Sequence, residues 1–221
     1  MNKGAVMNRT ITVKSTGKVS VKPDYISINL KLAAKDCDYG KTMNLAEKQL
    51  EELRKSLEKA GVNRDGLKTC DFNVNAEYKS VSDKRGGYSR EFDGYCCRHS
   101  LKVEFGLDMK KLGAVLGSVS SCTAKPEFKI KFTVKDKDAV AEKLLESAAA
   151  EARKKAETLC KASEVKLGQL ISIDYNRVEL DIYSPTVYSA VDSGAVRCAN
   201  IEIEPENIDL TDAVTFVWEI D

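Results

Sequence analysis

The residues best suited to chemistry lie together in one predicted strand, at Cys96, Cys97 and His99. Thiols and imidazoles are typical of nucleophilic and metal-binding sites. Neighbouring residues of a strand point to opposite faces, so the two adjacent thiols are poorly placed to bind one metal, and a disulfide between them would strain the strand. Cys97 and His99 point to the same face, but nothing nearby suggests an oxyanion hole or an orienting acid, which argues against a nucleophilic dyad.

A structural role fits these residues better. His99 is the only histidine of the chain and shares its face with Leu101 and Val103, which predicts a buried histidine with a satisfied hydrogen bond. The alternation of a strand predicts one buried and one exposed thiol. Exposed thiols near cations such as Arg98 can have a lowered pKa, and Cys198 lies in a predicted loop that solvent can reach, so a redox-responsive thiol protein is one alternative function.

The carboxylates and glycines of the sequence do not form a recognisable catalytic, metal-binding or phosphate-binding motif. Most carboxylates lie beside lysines on predicted helices, where ion pairs are solvated and weak. The acidic segment 201–206 lacks the glycine and the spacing of a calcium loop, and Gly86-Gly87 is not followed by a helix as a phosphate-binding loop would be. We therefore predict a protein that is not an enzyme, with no catalytic residues, cofactor or metal. An enzyme with an unrecognised cleft site is a second alternative.

Composition narrows the class of protein. The chain has 221 residues, of which 35 are Lys or Arg and 34 are Asp or Glu, and this near-neutral balance predicts no nucleic-acid partner. No segment approaches the roughly 20 apolar residues of a membrane-spanning helix, so we expect no membrane insertion. Residues 1–9 contain no apolar run like a signal-peptide core, and the seven cysteines lack zinc-type spacing. These features predict a cytoplasmic protein with free thiols.

The first half of the chain alternates between strand and helix patterns. Residues 10–34 predict two strands, with a turn at Gly17 and a bulge or bend near Pro23. A helix is expected over 39–60, ending at Gly61, because apolar residues recur there at spacings of three and four. Two alternating strands follow, joined by a polar hairpin tip. They cover residues 67–78 and 95–105.

The second half repeats this alternation. A short helix capped by Asp108 precedes a strand over 128–134 and a long helix over 138–162. The predicted buried face of the long helix is Ala141, Leu145, Ala148, Ala152, Ala156 and Leu159. A strand over 170–180, a long loop over 183–200 and a final strand with Val214, Phe216, Trp218 and Ile220 on one face complete the chain.

These elements predict an α+β fold in which two long helices and a short third helix pack on one mainly antiparallel sheet. Both ends of the chain are rich in β pattern, so we expect the terminal strands to enclose the domain. A single domain is expected over 10–221 after a flexible segment 1–9, with two interlocked strand-helix-strand halves, about 10–91 and 92–221, as a possible subdivision.

Several motifs in order resemble those of the bacterial SIMPL-domain family. The sequence Thr-Gly-Lys-Val-Ser-Val-Lys-Pro-Asp at 16–24, Gly94-Tyr95, and the segments 151–159, 165–173 and 203–208 carry the resemblance, which covers about 10 to 220. One departure is Glu164, at a position where relatives usually have glycine after the long helix, which suggests a different helix cap. Many relatives also have a secretory leader, for which this sequence shows no pattern.

The resemblance implies an α+β fold, self-association in some members and links to oxidative stress, without a defined reaction. Together with two predicted protrusions, at the hairpin tip 79–92 and the loop 181–202, it predicts a non-catalytic, self-associating protein that acts through surface loops in a stress response. The expected partners are further copies of the chain and another protein. Tyrosines and small apolar residues in the loop are suited to an interface. They are Tyr183, Val187, Tyr188, Val191 and Val196.

Overall fold

A computed structural model describes residues 9–82, 88–176, 180–190 and 203–221. The predicted α+β class is confirmed, with two long helices and one short helix beside antiparallel strands. The elements are β1 (Thr10–Val21), β2 (Tyr25–Asp36), α1 (Tyr39–Lys59), a 3₁₀ turn (Arg64–Gly66), β3 (Leu67–Ser82), β4 (Tyr88–Gly106), α2 (Met109–Ser120), β5 (Glu127–Thr133), α3 (Lys137–Ala162), β6 (Leu167–Asp174), β7 (Tyr183–Ala190) and β8 (Ile208–Ile220).

The described strands form two sheets, so the prediction of one sheet was wrong. One sheet has the order β1-β8-β6, and the other has the order β3-β4-β2-β5-β7. The chain divides into two compact units. The terminal unit contains Met1–Pro23, Val134–Pro185 and Glu206–Asp221, and the central unit contains Asp24–Thr133 and Thr186–Pro205. Periodicity identifies strands but not their partners, which is why the sequence did not separate the sheets.

In the terminal unit, the two ends of the chain form one antiparallel pair. β1 and β8 pair along their whole length, from Thr10 opposite Glu219 to Val21 opposite Ile208. The predicted turn at Gly17 is absent, because β1 runs straight through this residue. A Cβ atom on Gly17 would lie 2.2 Å from the carbonyl oxygen of Leu144, so glycine here permits close approach of α3. The strand pattern is interrupted near Pro23 as expected, but by a strand boundary rather than by a bulge or bend within one strand, since β1 ends at Val21 and β2 begins at Tyr25.

The buried face of α3 was only partly predicted. Ala148, Ala152 and Ala156 are buried against β1 and β8 as expected. Leu159, however, is 52% exposed, and Leu145 is only half-buried. The buried stripe instead runs in steps of four residues, because α3 packs along an i±4 row of side chains rather than a heptad row. That row consists of Val140, Leu144, Ala148, Ala152, Ala156 and Cys160.

The end of α3 has the left-handed geometry that glycine adopts most readily. Glu164 adopts φ +56, a left-handed conformation that glycine would adopt without strain. The amide of Val165 donates to the carbonyl of Cys160 at 3.0 Å, and that of Glu164 donates to Lys161 at 3.4 Å. These bonds form a Schellman motif, so the expectation of a different cap was wrong.

In the central unit, β2 lies between β4 and β5, and α1 and α2 pack beside this sheet. The two predicted caps are present. The side chain of Asp108 accepts a hydrogen bond from the amide of Lys111, and Gly61 follows α1 with φ +79. The core joins large aliphatic and aromatic side chains of the strands to both helices. Its most buried members include Ile26, Ile28, Leu30, Leu53, Leu57, Leu101, Leu112, Leu116, Ile130 and Phe132.

Two predicted loops contain more strand than expected. Residues 183–190 form β7, next to β5, where the ring of Tyr188 stacks on Phe128 with centroids 6.1 Å apart. Residues 191–202 of the predicted loop lie outside the described part of the chain. The hairpin strands extend to Ser82 and Tyr88, and only 83–87 of the predicted tip are not described. None of the described helices is both long and apolar enough to cross a membrane.

Candidate functional site

The end of the β3–β4 hairpin is a two-stranded ribbon with two different faces. β2 pairs with β4 only as far as Tyr95, and beyond that point β3 and β4 pair with each other. We call this ribbon, residues 77–82 and 88–93, the hairpin arm. A bulge at its base shifts the register, where Gly94 has φ +112 and a Cβ atom would lie 2.7 Å from the carbonyl oxygen of Asp36. The glycine therefore allows the arm to leave the sheet.

Aromatic side chains line one face of the hairpin arm and its base. The rings of Tyr78 and Phe92 meet edge to face at 5.9 Å, Phe92 meets Tyr95 at 5.2 Å, and Tyr95 meets Tyr39 at 5.5 Å. The guanidinium of Arg90 lies 5.4 Å from the ring centre of Tyr78. Despite these contacts, Tyr78 is 53% exposed and Phe92 is 44% exposed. We call these five residues the aromatic ladder; such rings present rigid apolar area suited to contacts with other proteins.

The opposite face at the base of the arm carries an ion-pair network. Lys35 Nζ lies 3.0 Å from Glu77 Oε2 and also bonds to Asp93, while Glu77 bonds to Arg98. The bonds to Asp93 and Glu77 raise the pKa of Lys35, and the bonds from Lys35 and Arg98 lower the pKa of Glu77. These groups are solvated, so the pairs add little stability, but together they orient the strands of the arm.

The two adjacent cysteines are both buried, contrary to the prediction of one exposed thiol. Cys97 is 1% exposed and packs with Ala34 and Ala46, as alternation predicts for a core residue. Cys96 is 5% exposed, and in the sheet it lies between Lys35 and Asn75. Long polar side chains on neighbouring strands therefore cover a position that alternation alone places in solvent. Burial raises the pKa of both thiols, which disfavours the reactive thiolate.

His99 has the structural environment that the sequence predicted. It is buried, its Nε2 atom lies 2.9 Å from Thr69 Oγ1, and its ring meets Phe72 edge to face at 5.0 Å. Burial lowers the pKa of His99, and the charge of Arg54 lowers it further. His99 also borders a polar groove of about 480 Å³, in which Asp71 accepts a hydrogen bond from Asn73 at 2.8 Å. Neither Cys96 nor Cys97 borders this groove, so the structure does not bring either of these two thiols together with the imidazole and the acid.

Among the described residues, the exposed thiols are two that the sequence analysis did not single out. Cys37 and Cys70 are exposed, whereas Cys198 lies outside the described residues. Cys70 lies at a register shift between Thr69 and Asp71, where the regular alternation of side chains along β3 is interrupted. No sequence signal marks this shift. Within the described ranges, no three His, Cys, Asp or Glu side chains are grouped so that they could hold a metal ion.

Comparisons with known proteins identify a family. A search of curated protein sequences found no match to this chain. The model of one family matches residues 11–218. This match includes nearly all of both units, from the second residue of β1 to Trp218 of β8. The chain therefore belongs to the SIMPL family, described as a protein of unknown function (DUF541).

Proposed function

We propose that this chain is a cytoplasmic, non-catalytic protein that associates with further copies of itself through exposed surfaces and acts in a stress response. The observation that carries the proposal is the aromatic ladder on the hairpin arm. Tyr78 and Phe92 expose about half of their surface on a ribbon with no third strand among the described residues. Exposed aromatic side chains grouped on one face mark surfaces for contact with other proteins.

Side-chain contacts on both faces support the hairpin arm as a contact surface. An isolated two-stranded hairpin is only marginally stable in water. Here the edge-to-face ring contacts hold one face of the ribbon, and the network around Lys35 and Glu77 holds the base from the other face. Tyrosine and phenylalanine have few side-chain rotors, so ordering them in an interface costs little entropy. The arm is therefore prepared for binding before a partner arrives.

A second copy is the partner that the chemistry of the ladder favours. Arg90 supplies a cation on the same face as the exposed rings of Tyr78 and Phe92. Two copies that meet through this face bring a guanidinium of each to aromatic rings of the other, which adds cation–π attraction to apolar burial. Tyrosine, phenylalanine and arginine are also enriched at protein interfaces.

The loop predicted to share this role is now a weaker candidate. Residues 183–190 form β7 of the central sheet, where Tyr188 is partly buried against the core. Deleting 183–200 would therefore remove a strand, and a change in mass could not be assigned to a lost surface. A test should change side chains on the hairpin arm instead.

Light scattering on the purified protein tests self-association. We expect a mass of at least two chains of 24.4 kDa, reduced in the variant Tyr78→Ser/Phe92→Ser. The control is Lys79→Ser/Glu91→Ser, because these residues face each other on the same strands but on the other face of the arm. A wild-type protein that is a monomer at every concentration would overturn the proposal. Equal masses for the two variants would show that the aromatic ladder is not the surface through which the copies associate.

A role in stress is tested separately in cells. Cells that lack the protein should survive peroxide less well, and the Tyr78→Ser/Phe92→Ser variant should fail to restore survival. Restoration by the Lys79→Ser/Glu91→Ser control should be complete, since its aromatic ladder is intact. Full survival without the protein would exclude this role.

A thiol-based redox response is a second candidate function. Two observations change which cysteines we expect to react. Cys96 and Cys97 are buried with raised pKa values, whereas Cys37 and Cys70 are exposed. Oxidation follows thiolate character and access. We therefore expect mass spectrometry to find peroxide oxidation of Cys37 and Cys70 before Cys96 and Cys97. Uniformly slow oxidation of all four would end this candidate.

A further inference from the structure

The strand β6 is an uncovered edge of the terminal sheet. It pairs with β8 on one side, and no described strand pairs with it on the other. Its apolar side chains are unusually accessible, with Leu170 47%, Ile171 48% and Ile173 56% exposed. An edge strand presents a row of free backbone donors and acceptors, and apolar side chains on it favour the addition of another strand.

The other sheet edges carry features that discourage such pairing. β1 contains Lys14 and Lys18, β3 contains four charged residues, and β7 contains Pro185, which has no amide to donate. In β6 the only charged residue is Asp174, at its end. β6 is therefore the least protected of these edges, although its ladder with β8 contains two irregularities.

Those irregularities lie on either side of Leu170. One register shift lies between Leu167 and Leu170, and the other lies between Leu170 and Ser172. As a result Leu167, Leu170 and Ile173 are opposite Ile220, Trp218 and Phe216, and so point to one face of the sheet. Asp174 is opposite Thr215, and Lys166 exchanges backbone hydrogen bonds with Asp221, so both point to the other face.

We propose that a second copy of the chain pairs with β6 through its own β6, antiparallel, about a twofold axis at Leu170. In this register Leu170 is opposite itself, Leu167 is opposite Ile173 of the second copy, and Lys166 is opposite Asp174. The apolar residues meet on one face, and two ion pairs form on the other. The register shift at 170–172 of each copy then lies opposite residues 168–170 of the other copy, where the first shift occurs. The product is a six-stranded sheet with the order β1-β8-β6-β6-β8-β1.

The self-complementarity of β6 indicates that the strand that pairs with it is β6 of a second copy. A twofold interface requires each residue to suit its symmetry partner. The apolar pairs are Leu170 with Leu170 and Leu167 with Ile173, and the charged pair is Lys166 with Asp174. All of these residues are exposed or half-exposed in the single chain. Directly opposed apolar and opposite-charge pairs stabilise antiparallel strands. The inference rests on the proposed self-association and specifies one interface for it, separate from the hairpin arm.

Cross-linking at the axis tests the register. Directly opposed residues have Cα atoms about 4.5–5.5 Å apart, within the range of a disulfide. Leu170→Cys should therefore form an intermolecular disulfide on mild oxidation, in a background with Cys37, Cys70 and Cys198 changed to Ser. The matched control Ser172→Cys should not, because its two copies would lie four residues apart, about 13 Å. Equal cross-linking of both variants, or none, would overturn the register.

A charge exchange supplies a test without added cysteines. Lys166→Asp should weaken association about tenfold in sedimentation equilibrium, because like charges then face each other at both ends of the pair. Asp174→Lys should do the same, and the double exchange should restore wild-type association. Leu170→Lys should abolish pairing through β6. Two single exchanges without effect would overturn the proposal.

The two levels of the proposal fail in different ways. A wild-type monomer at all concentrations would defeat self-association and β6 pairing together. An oligomer that is insensitive to Leu170→Lys but sensitive to Tyr78→Ser/Phe92→Ser would defeat only β6 pairing. Circular dichroism of Leu170→Lys checks that the fold is kept, as expected for a substitution at a site 47% exposed.

Discussion

The two long helices pack on their sheets in opposite ways. α3 meets β1 and β8 through alanines and the bare backbone of Gly17, whereas α1 places Leu53 and Leu57 in the core of the central unit. One contact depends on side chains being small, and the other depends on them being large. Protein interiors are close-packed, so adding an atom to the first contact and removing atoms from the second should both destabilise the protein.

Adding one carbon atom at Gly17 should have the largest effect. In Gly17→Ala the new Cβ would lie 2.2 Å from the Leu144 carbonyl oxygen and 2.8 Å from the Ala148 amide nitrogen. Because both atoms belong to the backbone, α3 must move away from the sheet. We expect a loss of more than about 3 kcal/mol in the free energy of unfolding, above the usual cost of overpacking. Urea denaturation measures it.

Gly117→Ala is the matched control for this change. A Cβ at Gly117 in α2 meets nothing within 4 Å, so this variant should be more stable by about 0.5–1 kcal/mol through helix propensity alone. A similar loss of stability in both variants would show that the close approach of α3 to Gly17 is not the cause.

Removing atoms from α1 tests the other half of the comparison. Leu53 is fully buried in the central core, so Leu53→Ala should lower the free energy of unfolding by about 2–5 kcal/mol through lost burial and a cavity. Leu45, on the same helix, is exposed, and Leu45→Ala should change stability by less than about 0.5 kcal/mol. Equal effects of the two changes would place the core contact of α1 elsewhere.

The central unit should also respond to pH through His99. Burial lowers the pKa of His99 in the folded protein, so the unfolded chain binds its proton first. Stability should therefore be unaffected by this residue well above the ordinary value of about 6.5, and should fall as the pH drops below it. Denaturation at pH 7.5 and pH 5.5 should show a smaller difference for His99→Gln than for wild type. An identical difference would contradict a buried neutral imidazole.

The smallest effect is expected at the end of α3. Glu164 adopts φ +56, and the left-handed conformation costs a residue with a Cβ about 1 kcal/mol or more. Glu164→Gly should therefore stabilise the protein by up to about 1 kcal/mol, reduced by the greater entropy of glycine in the unfolded chain. The control Glu157→Gly lies inside the same helix and should be destabilising. Thermal unfolding distinguishes the two signs.

Local sequence patterns predicted most helices and strands. They failed where the conformation of a segment depends on contact with an element that is distant in the sequence. The caps at Asp108 and Gly61 were predicted correctly because they depend on a few neighbouring residues. Gly17 was assigned to a turn because glycine suits a turn as well as a close contact, and only α3 decides between them. Residues 183–190 have no sustained alternation, and their place beside β5 made them a strand.

The candidate site shows the same limit. Alternation predicted the buried position of His99, but it could not show that side chains of neighbouring strands cover Cys96. It also missed the shift that exposes Cys70. The polar hairpin tip was recognised, but the aromatic ladder was not. The ladder requires Tyr39 of α1 and the shifted register at Gly94 to bring rings from separate segments together.

The amino-acid sequence by itself determined most of the element types, the caps at Asp108 and Gly61, the family and the outline of the core, since these follow from spacing and from contacts between near neighbours. Only the tertiary structure decided that the strands form two sheets, that β6 is an exposed edge and that both adjacent thiols are buried. Strand pairing joins residues up to 209 positions apart, as for Thr10 and Glu219, and no local pattern encodes such a partner.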